Sequence, residues 1–156
     1  MPSYALIDYA NTCFPHPTLP TIVGQPNYEK LCSMKKKLKA NATSAQSDLG
    51  GGKFGHLGLV LDDATYNSLT GKIYVRPAHP GVLVIEPGTA CHESVQLREE
   101  HNENVRLFRE TIDVHNALLK QIVCTIDSDY LKELNNDITS TIILTIPEEL
   151  TFLFTR

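Results

Sequence analysis

The 156 residues carry a formal charge of -4 at neutral pH, with 42% apolar and 21% charged side chains. That balance suits one globular domain able to bury a core without metals or disulfides, and it excludes a chain disordered throughout. It also argues against a stand-alone nucleic-acid binder, whose surface is usually basic. No apolar run approaches the ~20 residues of a membrane span, and the first ten residues lack the charged and apolar regions of a secretory signal. A cytoplasmic protein is expected. The four cysteines, Cys13, Cys32, Cys91 and Cys124, form no C-x-x-C pair and read as buried, reduced thiols.

Residues 1–26 contain Pro2, Pro15, Pro17, Pro20 and Pro26. Proline fixes φ and removes donors, so this stretch is expected as an extended arm, either docking through Tyr4, Leu6, Ile7 and Phe14, as on a neighbouring subunit, or left as a disordered tail. The rest, 27–156, reads as one mainly α domain. Asn27 is the expected N-cap of a first helix whose stripe is Tyr28, Leu31, Leu38, Ala42 and Ala45. The lysines Lys35, Lys36, Lys37 and Lys39 sit mainly off that stripe and form a basic cluster. The helix ends before Gly50, Gly51 and Gly52, where backbone freedom is greatest.

A short helix over 64–69 is expected next, capped by Asp62 or Asp63 and ended by Gly71. The runs 73–75 and 82–85 around His79-Pro80-Gly81 predict a short β-rich connector, either a small hairpin or an extended link. From Thr89 to about Ile126 the spacing of Val105, Phe108, Ile112, Leu119, Ile122 and Ile126 predicts one long helix, with His115 on the same face. Burying that stripe cannot by itself offset the entropy of ordering so long a helix, so the helix must pack on other helices or on another chain. Ser128 can cap a short helix through Tyr130, Leu131 and Leu134. Thr145 to Glu148 then reads as a capping box leading into Leu150, Phe152, Leu153 and Phe154. The chain stops soon after, which predicts a truncation of a longer parent.

No segment supplies a complete catalytic set. Leu59 to Asp63 has the shape of an apolar-x-Asp-Asp polymerase box, but the following residues read as a helix for which Asp62 or Asp63 is the cap. Asp127-Ser128-Asp129 lacks the glycine of an aspartic protease motif. Gly50-Gly51-Gly52-Lys53 lacks phosphate-loop spacing, with Phe54 in the hydroxyl position. The six histidines and four cysteines make no zinc spacing. No enzyme activity, metal or cofactor is expected. Asn41-Ala42-Thr43 fits a glycosylation sequon by chance.

The run from Leu49 to Leu61, with Gly50, Gly51, Gly52, Gly55, His56, Leu57 and Gly58, is unusual in composition. Together with Tyr66, Arg76-Pro77, His79-Pro80-Gly81 and Leu107-Phe108-Arg109-Glu110, it resembles the Gag polyprotein of copia-type retrotransposons of algal and other microbial-eukaryote genomes. The later run Leu118 to Ile126, then Tyr130-Leu131 and Leu150 to Thr155, is similar to the same family. The resemblance covers nearly all of 20–156. It implies a helical, capsid-forming structural protein that associates with copies of itself in a shell around the element's RNA, in a parent chain that continues past Thr155.

On this reading Leu31, Leu38, Leu119 and Ile122 are the candidate packing and self-association residues, and the glycines from Gly50 to Gly58 shape a turn between helices. The alternative is a helical nucleic-acid-binding or adaptor module using Lys35, Lys36, Lys37 and Lys39, whose phosphate contacts would weaken steeply with salt. A decayed polymerase fragment built on Asp62 and Asp63 is a further reading. The expected partners are further copies of the chain and RNA, with no membrane and no small-molecule substrate.

Overall fold

Asn27 starts the first long helix by accepting a hydrogen bond from the Lys30 amide at 2.8 Å through its side-chain oxygen, which satisfies one of the orphan donors of the first turn. In the computed structural model, residues 9–45, 54–127, 131 and 146–154 are described. Their elements in order are α1 (Tyr9–Thr12), α2 (Tyr28–Ser44), a 3₁₀ turn (Leu57–Leu59), α3 (Asp63–Thr70), α4 (Cys91–Thr125) and α5 (Ile146–Phe154). The fold is mainly helical, as the periodicity predicts. No strand forms among the described residues; one parallel bridge joins Ile22 to Ile126.

The arm is extended only in part. One helical turn, α1, precedes an irregular run, and Tyr9, Phe14, Leu19 and Ile22 are buried in the chain's own core. Tyr4, Leu6 and Ile7 lie outside the described residues. A buried polar cluster holds the arm in place. Asn41 of α2, fully buried, accepts from the His16 amide at 3.0 Å and donates to the His16 carbonyl at 3.0 Å. It also donates to Gln121 Oε1 at 2.9 Å, and Gln121 Nε2 donates to the carbonyls of His16 at 2.9 Å and Pro17 at 3.2 Å. Every polar group brought inside thus has a partner, which is the condition for burying it.

The core face of α4 differs from the predicted stripe. The buried residues are Thr111, Val114, Leu118, Gln121, Ile122 and Thr125, while Ile112 is 39% exposed and Val105, Phe108 and Leu119 are half-buried. The face is rotated because three of its members are polar and hydropathy passes over them. Each is satisfied locally or by the arm: Thr111 Oγ1 donates to the Leu107 carbonyl and Thr125 Oγ1 to that of Gln121.

The β-rich connector is not formed. Residues 73–86 run without ladder bonds, and Ile73, Val75, Val82 and Val84 are exposed, Val82 by 90%. Tyr74 is the buried residue of this run. Its ring is drawn to the core, and His79 packs edge-on against Phe108 of α4 with centroids 5.2 Å apart. Anchored at those two points on the helical body, the run makes no hairpin pairing of its own.

The smaller helices follow their caps. Asp62 accepts from the Thr65 amide at 2.7 Å, and Gly71, at φ +73°, ends α3 in the left-handed conformation that glycine adopts without steric cost. The carboxyl of Asp62 is held below its usual range, first by the hydrogen bond of the Thr65 side chain. In α5, Ile146, Leu150 and Leu153 are buried against the body. The expected cap at Thr145 and helix from Ser128 lie outside the described residues, apart from Leu131, which is buried. No described helix is long and apolar enough to cross a membrane. Cys13 and Cys32 are half-buried, but Cys91 and Cys124 are exposed, contrary to the expectation of four buried thiols; all four are free.

Candidate functional site

Gly55 begins the longest unbroken buried stretch among the described residues, 55–61. Its backbone sits at φ +50° against the carbonyls of Thr43 and Ala45 at the end of α2, so a side chain here has no room. The His56 amide donates to the Ala42 carbonyl at 2.9 Å. Gly58 lies under the Tyr74 ring, in space a Cβ would occupy. The glycine-containing signature is therefore not a loose loop in its described part; it is a wedge between α2 and the run at Tyr74. Gly50, Gly51 and Gly52 lie outside the described residues.

His56 is fully buried and spans two elements. Its Nε2 is 3.0 Å from Glu110 Oε1, and its Nδ1 is 2.8 Å from the Tyr74 hydroxyl. A carboxylate only accepts, so Nε2 carries a proton toward Glu110, and Nδ1 shares a hydrogen bond with the Tyr74 hydroxyl. The other Glu110 oxygen faces Arg106 Nη1 at 3.3 Å, and Arg106 forks onto Glu103 at 2.6 and 3.0 Å. Burial raises the Tyr74 phenol well above its usual range, with Tyr66 and Glu110 adding to it, while Arg76 and a hydrogen bond with Thr111 pull the other way. A phenol held protonated and an imidazole with both nitrogens occupied form a latch, not a proton shuttle open to substrate. The described pockets are lined by other residues.

The residues singled out in the sequence fall into two groups. His56, Leu57, Gly58, Tyr66, His79, Phe108 and Glu110 converge: His56 meets Glu110, Tyr66 packs edge-on against Tyr74 at 5.5 Å, and His79 meets Phe108. The candidate association residues do not converge on a surface. Leu31, Leu38 and Ile122 are buried in the chain's own core and Leu119 is half-buried, so their packing is internal. Hydropathy periodicity marks the core face first, and it cannot separate that face from an interface.

The lysines are spread around α2. Lys35 borders a cavity of about 260 Å³ with Asp62 and Leu150, and its Nζ lies 5.6 Å from the Phe154 ring centroid. Lys37 and Lys30 border a second, apolar cavity of about 150 Å³ formed with Leu19, Ile22 and Met34. Lys36 is exposed. No described carboxylate pairs with Lys30, Lys36, Lys37 or Lys39.

The first part of α4 is expected from its strongly polar sequence to be solvated except near Val95 and Leu97, and the structure exposes those two as well. At 35 residues the helix is about 52 Å long at 1.5 Å per residue, and its first buried residue is Thr111. From Cys91 to Glu100 every residue but Ser94 is exposed, including Val95 and Leu97. Extending beyond the buried residues of the helix, this part is a projecting, partly apolar element that also carries Glu93, Glu99 and Glu100. The signal in the sequence is the long polar half-helix itself, which has too little apolar surface to fold back on its own body. No family model, curated protein or solved structure matches the chain.

Proposed function

We propose that the chain is a non-catalytic structural protein of the cytoplasm that assembles with copies of itself. The observation that carries this is the projecting first part of α4, where Val95 is 47% and Leu97 40% exposed and every residue from Cys91 to Glu100 but Ser94 is exposed. A helix extending turns beyond its own core costs conformational entropy that burial against another chain offsets. Large exposed apolar side chains grouped on such an element are the usual mark of an interaction surface.

The finer reading is a Gag-type capsid protein of a retroelement. It is supported by the ordered signature from Leu49 to Leu61 and by the way its described residues meet partners from the other signature segments, His56 with Glu110 and His79 with Phe108. Electron microscopy of the concentrated full chain tests it: regular particles or curved sheets are expected, and uniformly monomeric protein would refute it.

A second role rests on Lys36 and Lys39, which have no described acidic partner. In an assembled shell these side chains would contact RNA phosphates. RNA retention that falls steeply with added salt is the expected result; retention unaffected by salt or by Lys36→Glu with Lys39→Glu would remove this role.

A further inference from the structure

The apolar slot on α2 and the projecting part of α4 have matching layouts. Met34 forms part of the slot floor with Leu19 and Ile22, and Lys30 and Lys37 stand on its rim, one turn to either side along the helix. On α4, exposed Leu97 has Glu93 one turn before it and Glu100 one turn after it. Both helices therefore carry an apolar side chain between like charges seven residues apart, about 10.5 Å along the axis. The charges are opposite in sign. Among the described residues Glu93 has an ionic neighbour only in exposed His92 at 4.0 Å, and Glu100, Lys30 and Lys37 have none.

We propose that the projecting first half of α4 of one molecule docks on the α2 slot of a second copy, with Leu97 entering the slot and Glu93 and Glu100 meeting Lys30 and Lys37. This rests on the self-assembly reading and names its surfaces. The slot's volume of about 150 Å³ is below the ~300 Å³ at which small-molecule pockets begin. It is comparable to a cavity that takes one benzene-sized group, so it suits a side-chain anchor. Opposite charges around a central apolar anchor steer the encounter and fix register. Because the two surfaces are different patches of the same chain, the contact made reciprocally closes a two-fold dimer, and made in one direction and repeated it closes a larger ring or grows an open array.

The test uses the full chain in sedimentation velocity, with circular dichroism confirming the helix content of each variant. Lys30→Glu with Lys37→Glu, or Glu93→Lys with Glu100→Lys, is expected to weaken association roughly tenfold or more in either protein alone. Mixing the two variants is expected to restore it, since the reversed tip fits the reversed slot and the native tip the native slot. Leu97→Asp is expected to abolish association without changing helix content. In the wild type, raising salt from about 0.1 M to about 1 M shortens the screening length from ~10 Å to ~3 Å and should also weaken association. Variants that associate like wild type, or a mixture that stays dissociated, overturn the tip-in-slot contact while leaving self-assembly standing. A wild type that is monomeric at every concentration overturns both.

Discussion

His56 Nε2 lies 3.0 Å from Glu110 Oε1 across 54 residues of chain, and this contact ties the wedge after α2 to the middle of α4. The imidazole is fully buried and the carboxylate is 11% exposed. Removing the ring would take the imidazole from the Tyr74 hydroxyl and from Glu110 Oε1 in a poorly solvated site, leaving Glu110 its contact with Arg106. His56→Ala should therefore cost about 3 kcal/mol in urea unfolding. A double-mutant cycle with Glu110→Gln should give a coupling of about 1 kcal/mol or more; additive losses would mean that the pair is not a unit.

Gly58 and Gly71 separate two reasons for glycine. At Gly58 an added Cβ enters the Tyr74 ring, so Gly58→Ala should displace the ring and lower stability by about 1–3 kcal/mol. At Gly71 nothing lies within 4 Å and only the left-handed backbone, φ +73°, resists a side chain. Gly71→Ala should cost about 1 kcal/mol and leave the aromatic near-ultraviolet spectrum unchanged. A changed spectrum for the second variant and not the first would reverse this assignment.

Asn41 bonds both main-chain groups of His16 and is the link between the arm and α2. Asn41→Leu would take the partner from the His16 amide and from Gln121 Oε1, while the His16 carbonyl keeps Gln121 Nε2, and should destabilise by about 2 kcal/mol. The loss should be local at first: amide exchange across 13–22 should accelerate more than exchange in α2. Equal acceleration in both would show that arm and helix open together.

Tyr9 and Tyr74 set the response to alkali. Burial is the main cause at both, pushing Tyr9 up to about 12 and Tyr74 further up, from an ordinary value of 10.0, with Glu110 adding at each. Above the ordinary value the unfolded chain releases these protons and the folded chain keeps them, so stability is complete below about pH 10 and falls as pH rises beyond it. Urea midpoints should drop between about pH 9 and about pH 11, and Tyr9→Phe should reduce the drop. A midpoint independent of pH over that interval would contradict the burial of both phenols.

The helices were legible where their caps are local. Asn27 and Asp62 mark the starts of α2 and α3, and Gly71 the end of α3, because each acts on neighbours within one turn. The core face of α4 was not. Thr111, Gln121 and Thr125 are buried because Leu107, His16 and Gln121 offer them carbonyls, and partners of that kind, especially one 105 residues away, leave no periodic trace. The same holds for His56, whose partners Tyr74 and Glu110 come from distant segments. The runs at 73–75 and 82–85 carry strand-forming residues but no pairing, since local propensity cannot create a partner. The projecting surface was written in the sequence as a polar half-helix, but its meaning required knowing where the core contacts stop.

Sedimentation equilibrium of the full chain over a wide concentration range tests self-assembly most directly. The weight-average mass should rise with concentration above the 17.3 kDa monomer, as association of copies through the slot and the tip demands. A mass fixed at the monomer value across the range would contradict assembly altogether.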